Sequence, residues 1–138
     1  MSESVKTLCE WNSYDRSLFV DPRGLAHADG RARKLRAVGI TLRQQAKVPA
    51  GEKLLPDLSH LRGCDWLTDL DITNYPRVKN LDAIYSLPLR SLCSHTRGVD
   101  YARFPNLEKL FTTEITPNLP PSLKELFVRR WSLPDLKT

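Results

Sequence analysis

The sequence predicts an α/β fold, a short and irregular solenoid with a parallel sheet and an N-terminal cap. Three observations predict it. A leucine phrase recurs four times along the second half of the chain. Each copy is preceded by a lead-in that carries apolar residues and a proline. The bulk composition, 138 residues with 41% hydrophobic and 27% charged, is that of an ordinary globular domain. One compact domain is expected, with residues 1–53 as cap and degenerate first repeat and residues 54–138 as the repeats.

The N-terminal part is read first. "LFVDPRG" (18–24) reads as a short strand closed by a turn, and "HADGRARK" (27–34) as polar and turn-rich. "LRAVGITL" (35–42) is a strand candidate, with Val38 and Ile40 at period two. "KVPAGEK" (47–53) reads as a loop. The phrase then appears as "LTDLDI" from Leu67, "LRSLCS" from Leu89, "LEKLFT" from Leu107 and "LKELFV" from Leu123, at spacings of 22, 18 and 16 residues. "LRAVGI" from Leu35 is a candidate degenerate copy, 32 residues before Leu67. The lead-ins are "LLPDLSHLRGCDW", "NLDAIYSLP", "VDYARFPN" and "NLPPS".

A strand that recurs with its return segment cannot bury its apolar face alone, so neighbours stack and share a core. Strand alternation then sends Leu70, Ile72, Leu92, Leu110, Leu126 and Val128 inward, and the leading Leu67, Leu89, Leu107 and Leu123 pack in behind them. These residues resemble the leucine-rich repeat family, over residues 54–131. The asparagine ladder of that family is missing, its positions being Tyr75, Arg97, Ile115 and Trp131. Two spacings are also short for the family. Short extended segments or turns are therefore expected between the strands in place of full helices.

The outward strand positions are Asp69, Asp71 and Thr73; Ser91, Cys93 and His95; Lys109, Phe111 and Thr113; Glu125, Phe127 and Arg129. The resemblance implies that this row is a concave surface that binds a macromolecule. Asp69, Asp71, Cys93, His95, Lys109, Phe111, Glu125, Phe127 and Arg129 are the candidate partner-binding residues. Phe111 and Phe127 should lie side by side, and two exposed rings suggest a surface that something covers. Cover from within the same chain accounts for them equally well.

Catalysis finds little support. Cys93 and His95 share a strand face, but i and i+2 side chains stand parallel about 6 to 7 Å apart, a poor geometry for a nucleophile and its base. No glycine-rich loop surrounds them. His27, His60 and His95 are scattered, and Cys9, Cys64 and Cys93 form no CxxC pair, so no metal or other cofactor is expected. "GEK" (51–53) lacks the rest of a phosphate-binding loop. Trp11, Trp66 and Trp131 read as core or edge-capping residues.

The net charge is +5, and residues 23–47 alone hold seven basic residues against Asp29, a net +6. That stretch is a nucleic-acid candidate or the solvated face of a loop or short helix. It contains no aromatic side chain for base stacking. No apolar run approaches a membrane span, and "MSESVKTLCEWNSYD" reads as no secretory signal. Three unpaired thiols suit a reducing compartment, so the cytoplasm is expected. The expected function is protein binding by a dedicated inhibitor, without catalysis, small-molecule substrate or membrane. Bacterial immunity proteins that neutralise a cognate toxin supply the analogy. Nucleic-acid binding through residues 23–47 is the competing class, and a thiol enzyme at Cys93 the third.

Overall fold

The recurring phrase forms strands that pair in the register its spacing implies. The computed structural model describes residues 8–43, 55–96, 98–113 and 119–128. Seven strands form one sheet in chain order: β1 (Cys9–Asn12), β2 (Ser17–Val20), β3 (Gly39–Leu42), β4 (Asp69–Asp71), β5 (Ser91–Ser94), β6 (Lys109–Thr112) and β7 (Glu125–Val128). β1 and β2 are an antiparallel pair, and every later pairing is parallel. The fold is therefore mixed α/β, as expected.

Leu18, Ile40, Leu70, Leu92, Leu110 and Leu126 are aligned across β2 to β7. The first five are at most 2% exposed. Leu126, expected inward with them, is 41% exposed. The reason is its place: among the described residues β7 ends the strand order and has a strand on one flank only. Val20, Leu42 and Ile72 form a second buried row, continued by the hydroxyls of Ser94 and Thr112. Those polar atoms are satisfied: Ser94 Oγ accepts from the Thr96 amide at 3.0 Å, and Thr112 Oγ1 lies 3.3 Å from the Tyr101 hydroxyl. Leu67, Leu89 and Leu107 are buried as expected, and Leu123 is half-buried.

The return segments after β3 carry 3-10 turns at Leu58–Leu61, Leu81–Ser86 and Tyr101–Arg103. Two are capped by an aspartate: Asp57 accepts from the Ser59 amide at 3.0 Å and Asp100 from the Ala102 amide at 3.2 Å. Repeat spacings of 16 to 22 residues leave room between strands for a turn and its buried leucines, not for a long helix.

Between β2 and β3 the expectation fails. The polar, turn-rich reading of residues 27–34 gives way to helix α1 (Leu25–Leu35). Leu25, Ala28 and Ala32 recur at helical spacing and are buried against the sheet, an apolar face made mostly of alanine. Arg36 closes the helix in the left-handed region at φ 58°. Leu35 ends α1, so the degenerate copy does not start there. Gly39 aligns with Asp69, which places Ala37 opposite Leu67 and sets the copy at "AVGITL". A further copy, "DRSLFV" (15–20), follows from the alignment of Ser17 with Gly39.

Candidate functional site

The outward side chains of the sheet form two rows. One runs Phe19, Thr41, Asp71, Cys93, Phe111, Phe127; the other runs Ser17, Gly39, Asp69, Ser91, Lys109, Glu125. Asp71 lies opposite Cys93, and Phe111 opposite Phe127, as the repeat register predicts.

At the β6–β7 end the surface is aromatic. The rings of Phe111 and Phe127 stack with centroids 6.3 Å apart and planes inclined by 27°. Phe127 is 53% exposed and Phe111 half-buried beneath its neighbours. Lys109 Nζ and Glu125 Oε2 are 3.6 Å apart, so the charges beside the rings pair with each other. One residue before the strands, Arg90 pairs with Glu108 at 2.8 Å, and Lys124 approaches the same carboxylate at 3.7 Å. These exposed pairs set cross-strand register at small energetic gain.

At the β2–β4 end the surface is a hollow of about 180 Å³ whose lining includes Asp15, Ser17, Gly39, Thr41, Asp69 and Asp71. Gly39 makes the hollow by having no side chain. A Cβ there would lie 3.2 Å from the Asp69 Cβ and 3.3 Å from that of Ser17. Burial, with a smaller contribution from Asp15, pushes the Asp69 carboxyl above its ordinary value; Thr68, Lys109 and Arg90 oppose the rise. The sequence assigns Asp15, Gly39 and Thr41 no role, because residues 1–53 read as cap and degenerate first repeat, outside the rows of the four clear copies. The signal was present in the alternation Leu18-x-Val20 and Ile40-x-Leu42, which matches Leu70-x-Ile72.

Cys93 sits between the two ends, half-buried. Burial first, then Asp71 and Asp69, pushes its thiol up to about 11. A thiol with that value is protonated at neutral pH and a poor nucleophile. His95 is half-buried on the same strand side, and Thr73 donates from its amide and hydroxyl to Asp71 at 3.0 and 2.8 Å. Arg129 and Trp131 lie outside the described residues. Among the described residues no group of three His, Cys, Asp or Glu side chains is arranged to hold a metal ion.

The basic stretch resolves into α1 and its flanks. Arg23 pairs with the buried Asp21 at 2.8 Å, Arg31 donates to the Cys9 carbonyl at 3.1 Å, and Arg43 lies 4.8 Å over the Phe19 ring. Arg33 binds Asp29 and Asp65, both at 3.0 Å. Four of its arginines thus hold the chain to itself. Among the described residues of the stretch, Lys34 and Arg36 remain as exposed cations near the end of α1; Lys47 lies outside the described residues.

Comparison with protein-family models, with curated proteins and with solved structures finds no match to this chain. Among the described residues no helix is long and apolar enough to cross a membrane.

Proposed function

We propose that the chain is a protein-binding module, a leucine-rich-repeat-like solenoid that docks its partner on the open face of the sheet and acts as a dedicated cytoplasmic inhibitor. Its model is the bacterial immunity protein, which neutralises a cognate toxin by direct contact. The observation that carries the reading is the stacked Phe111–Phe127 pair on the outward face, with Phe127 more than half exposed. Exposed aromatic rings on a rigid strand lose little side-chain entropy on binding, and aromatic residues are enriched among interface hot spots. The protonated Cys93 thiol supports a binding surface over a thiol enzyme.

The test compares Phe111→Ala/Phe127→Ala with Lys34→Ala/Arg36→Ala in recovery of the native partner by the full chain. Truncation at a hot spot costs about 2 kcal/mol or more, about 30-fold in affinity. The aromatic variant should lose the partner and keep its cooperative melting. Loss in the basic variant alone transfers the contact to α1 and favours nucleic-acid binding.

A further inference from the structure

Resting on that reading of the sheet face, we infer that the partner is a protein segment lying across the strands, with a lysine or arginine side chain over β3 and β4 and an apolar side chain over β6 and β7. Charge complementarity carries the inference. Most described acids elsewhere on the molecule have cationic partners: Asp21 with Arg23, Asp29 and Asp65 with Arg33, Asp82 with Arg62, Glu108 with Arg90 and Glu125 with Lys109. Asp57 and Asp100 cap 3-10 turns. Asp15, Asp69 and Asp71 are the exception. They line one hollow, and none forms an ion pair with a described residue.

Two of the three are held in place by neutral donors. Ser17 Oγ donates to Asp15 at 2.6 Å, and the Thr73 amide and hydroxyl donate to Asp71. These bonds orient the carboxylates and leave their charge uncompensated. The Asp69 carboxyl is raised mainly by burial and secondarily by Asp15, with Thr68, Lys109 and Arg90 opposing, and a cation entering the hollow favours its charged form. The aromatic end has no such excess, because Lys109 and Glu125 cancel. The face is therefore polarised along the strand order, and it fixes the direction of what lies on it.

Spacing narrows the partner further. β4 stands two strands from β6 and three from β7. At about 4.8 Å per strand that is about 10 to 14 Å. Two turns of a helix rise about 11 Å. A partner helix with a basic and an apolar side chain seven positions apart reaches both ends.

The experiment selects binders to the intact chain from a displayed library of random-surface helical peptides. The enriched peptides should carry lysine or arginine two turns from an aromatic or aliphatic residue. Asp69→Asn/Asp71→Asn should weaken them at least about tenfold, and Phe111→Ala/Phe127→Ala should abolish binding. Asp15→Asn serves as a second variant should the double one not fold. Peptides that need Phe111 and Phe127 but bind the asparagine variants unchanged overturn the inference and leave the docking surface standing. Peptides indifferent to both pairs of substitutions overturn the docking surface as well.

Discussion

Leu110 and Leu126 occupy equivalent positions on adjacent strands, yet one is buried at 0% exposure and the other is 41% exposed. Leu110→Ala removes contacts on all sides and should cost about 2 to 5 kcal/mol. Leu126→Ala should cost distinctly less in the same denaturant titration. Equal losses would mean that Leu126 is covered in solution. Gly24 is a second residue where a small change is large: a Cβ there would meet the Leu8 Cβ at 2.7 Å and the Leu8 carbonyl oxygen at 2.9 Å. Gly24→Ala must push backbone apart, and a loss of about 1 to 3 kcal/mol is expected. Asp69 makes a pH-dependent prediction. Its carboxyl is raised in the folded chain, so its charged form opposes folding at neutral pH. That opposition fades as pH falls through the folded value and is gone below the unfolded one. Asp69→Asn should therefore be the more stable chain at pH 7, with the advantage shrinking in acid; a constant difference across the titration would refute it.

At the scale of the element, one carboxylate ties α1 to the lead-in of β4. Burial raises Asp29, but hydrogen bonds from Trp66 and Arg33 outweigh it and hold the carboxyl below its ordinary value. Trp66 Nε1 donates to Asp29 Oδ1 at 2.7 Å, joining the helix to the lead-in of β4. Asp29→Ala leaves that indole donor without its partner in a half-buried place. A cost of about 1 to 3 kcal/mol is expected, dominated by the unsatisfied donor and not by the exposed ion pairs to Arg33. Asp29→Asn keeps an acceptor for the indole and should recover most of it. The depressed carboxyl also means that this stabilisation is present at neutral pH and lost as pH falls through the folded value. Thermal melts of the three chains across acid pH measure both effects.

Across the whole molecule the strand order is the chain order, so each strand packs on its sequence neighbours. A single buried cluster nevertheless runs from Cys9 through Leu18, Ile40 and Leu70 to Leu110. Leu18 and Ile40, within the stretch expected as cap and degenerate first repeat of one compact domain, therefore supply the first rows of the common core. Leu18→Ala should weaken the entire fold as Leu110→Ala does, in one transition by both tryptophan fluorescence and circular dichroism. Two separated transitions would mean that the N-terminal strands unfold on their own.

The phrase Leu-x-x-Leu determined a great deal by itself. Because strand side chains alternate with period two, four copies of the phrase fix which leucines face inward and which residues face out. Asp71 beside Cys93 and Phe111 beside Phe127 could be placed without coordinates. The helix α1 could not, because its buried face is made of two alanines and one leucine among charges, too weak a hydrophobic signal to outweigh Asp29-Gly30. Its burial depends on the sheet it lies against. Leu126 carries the same phrase as Leu110, and only its place at the end of the strand order exposes it. The acidic hollow is the clearest product of tertiary structure. Asp15 and Gly39 are far from Asp69 in sequence, and no local pattern joins them. They meet because β2, β3 and β4 are neighbours, and the hollow exists because the one side chain that would fill it is a hydrogen atom.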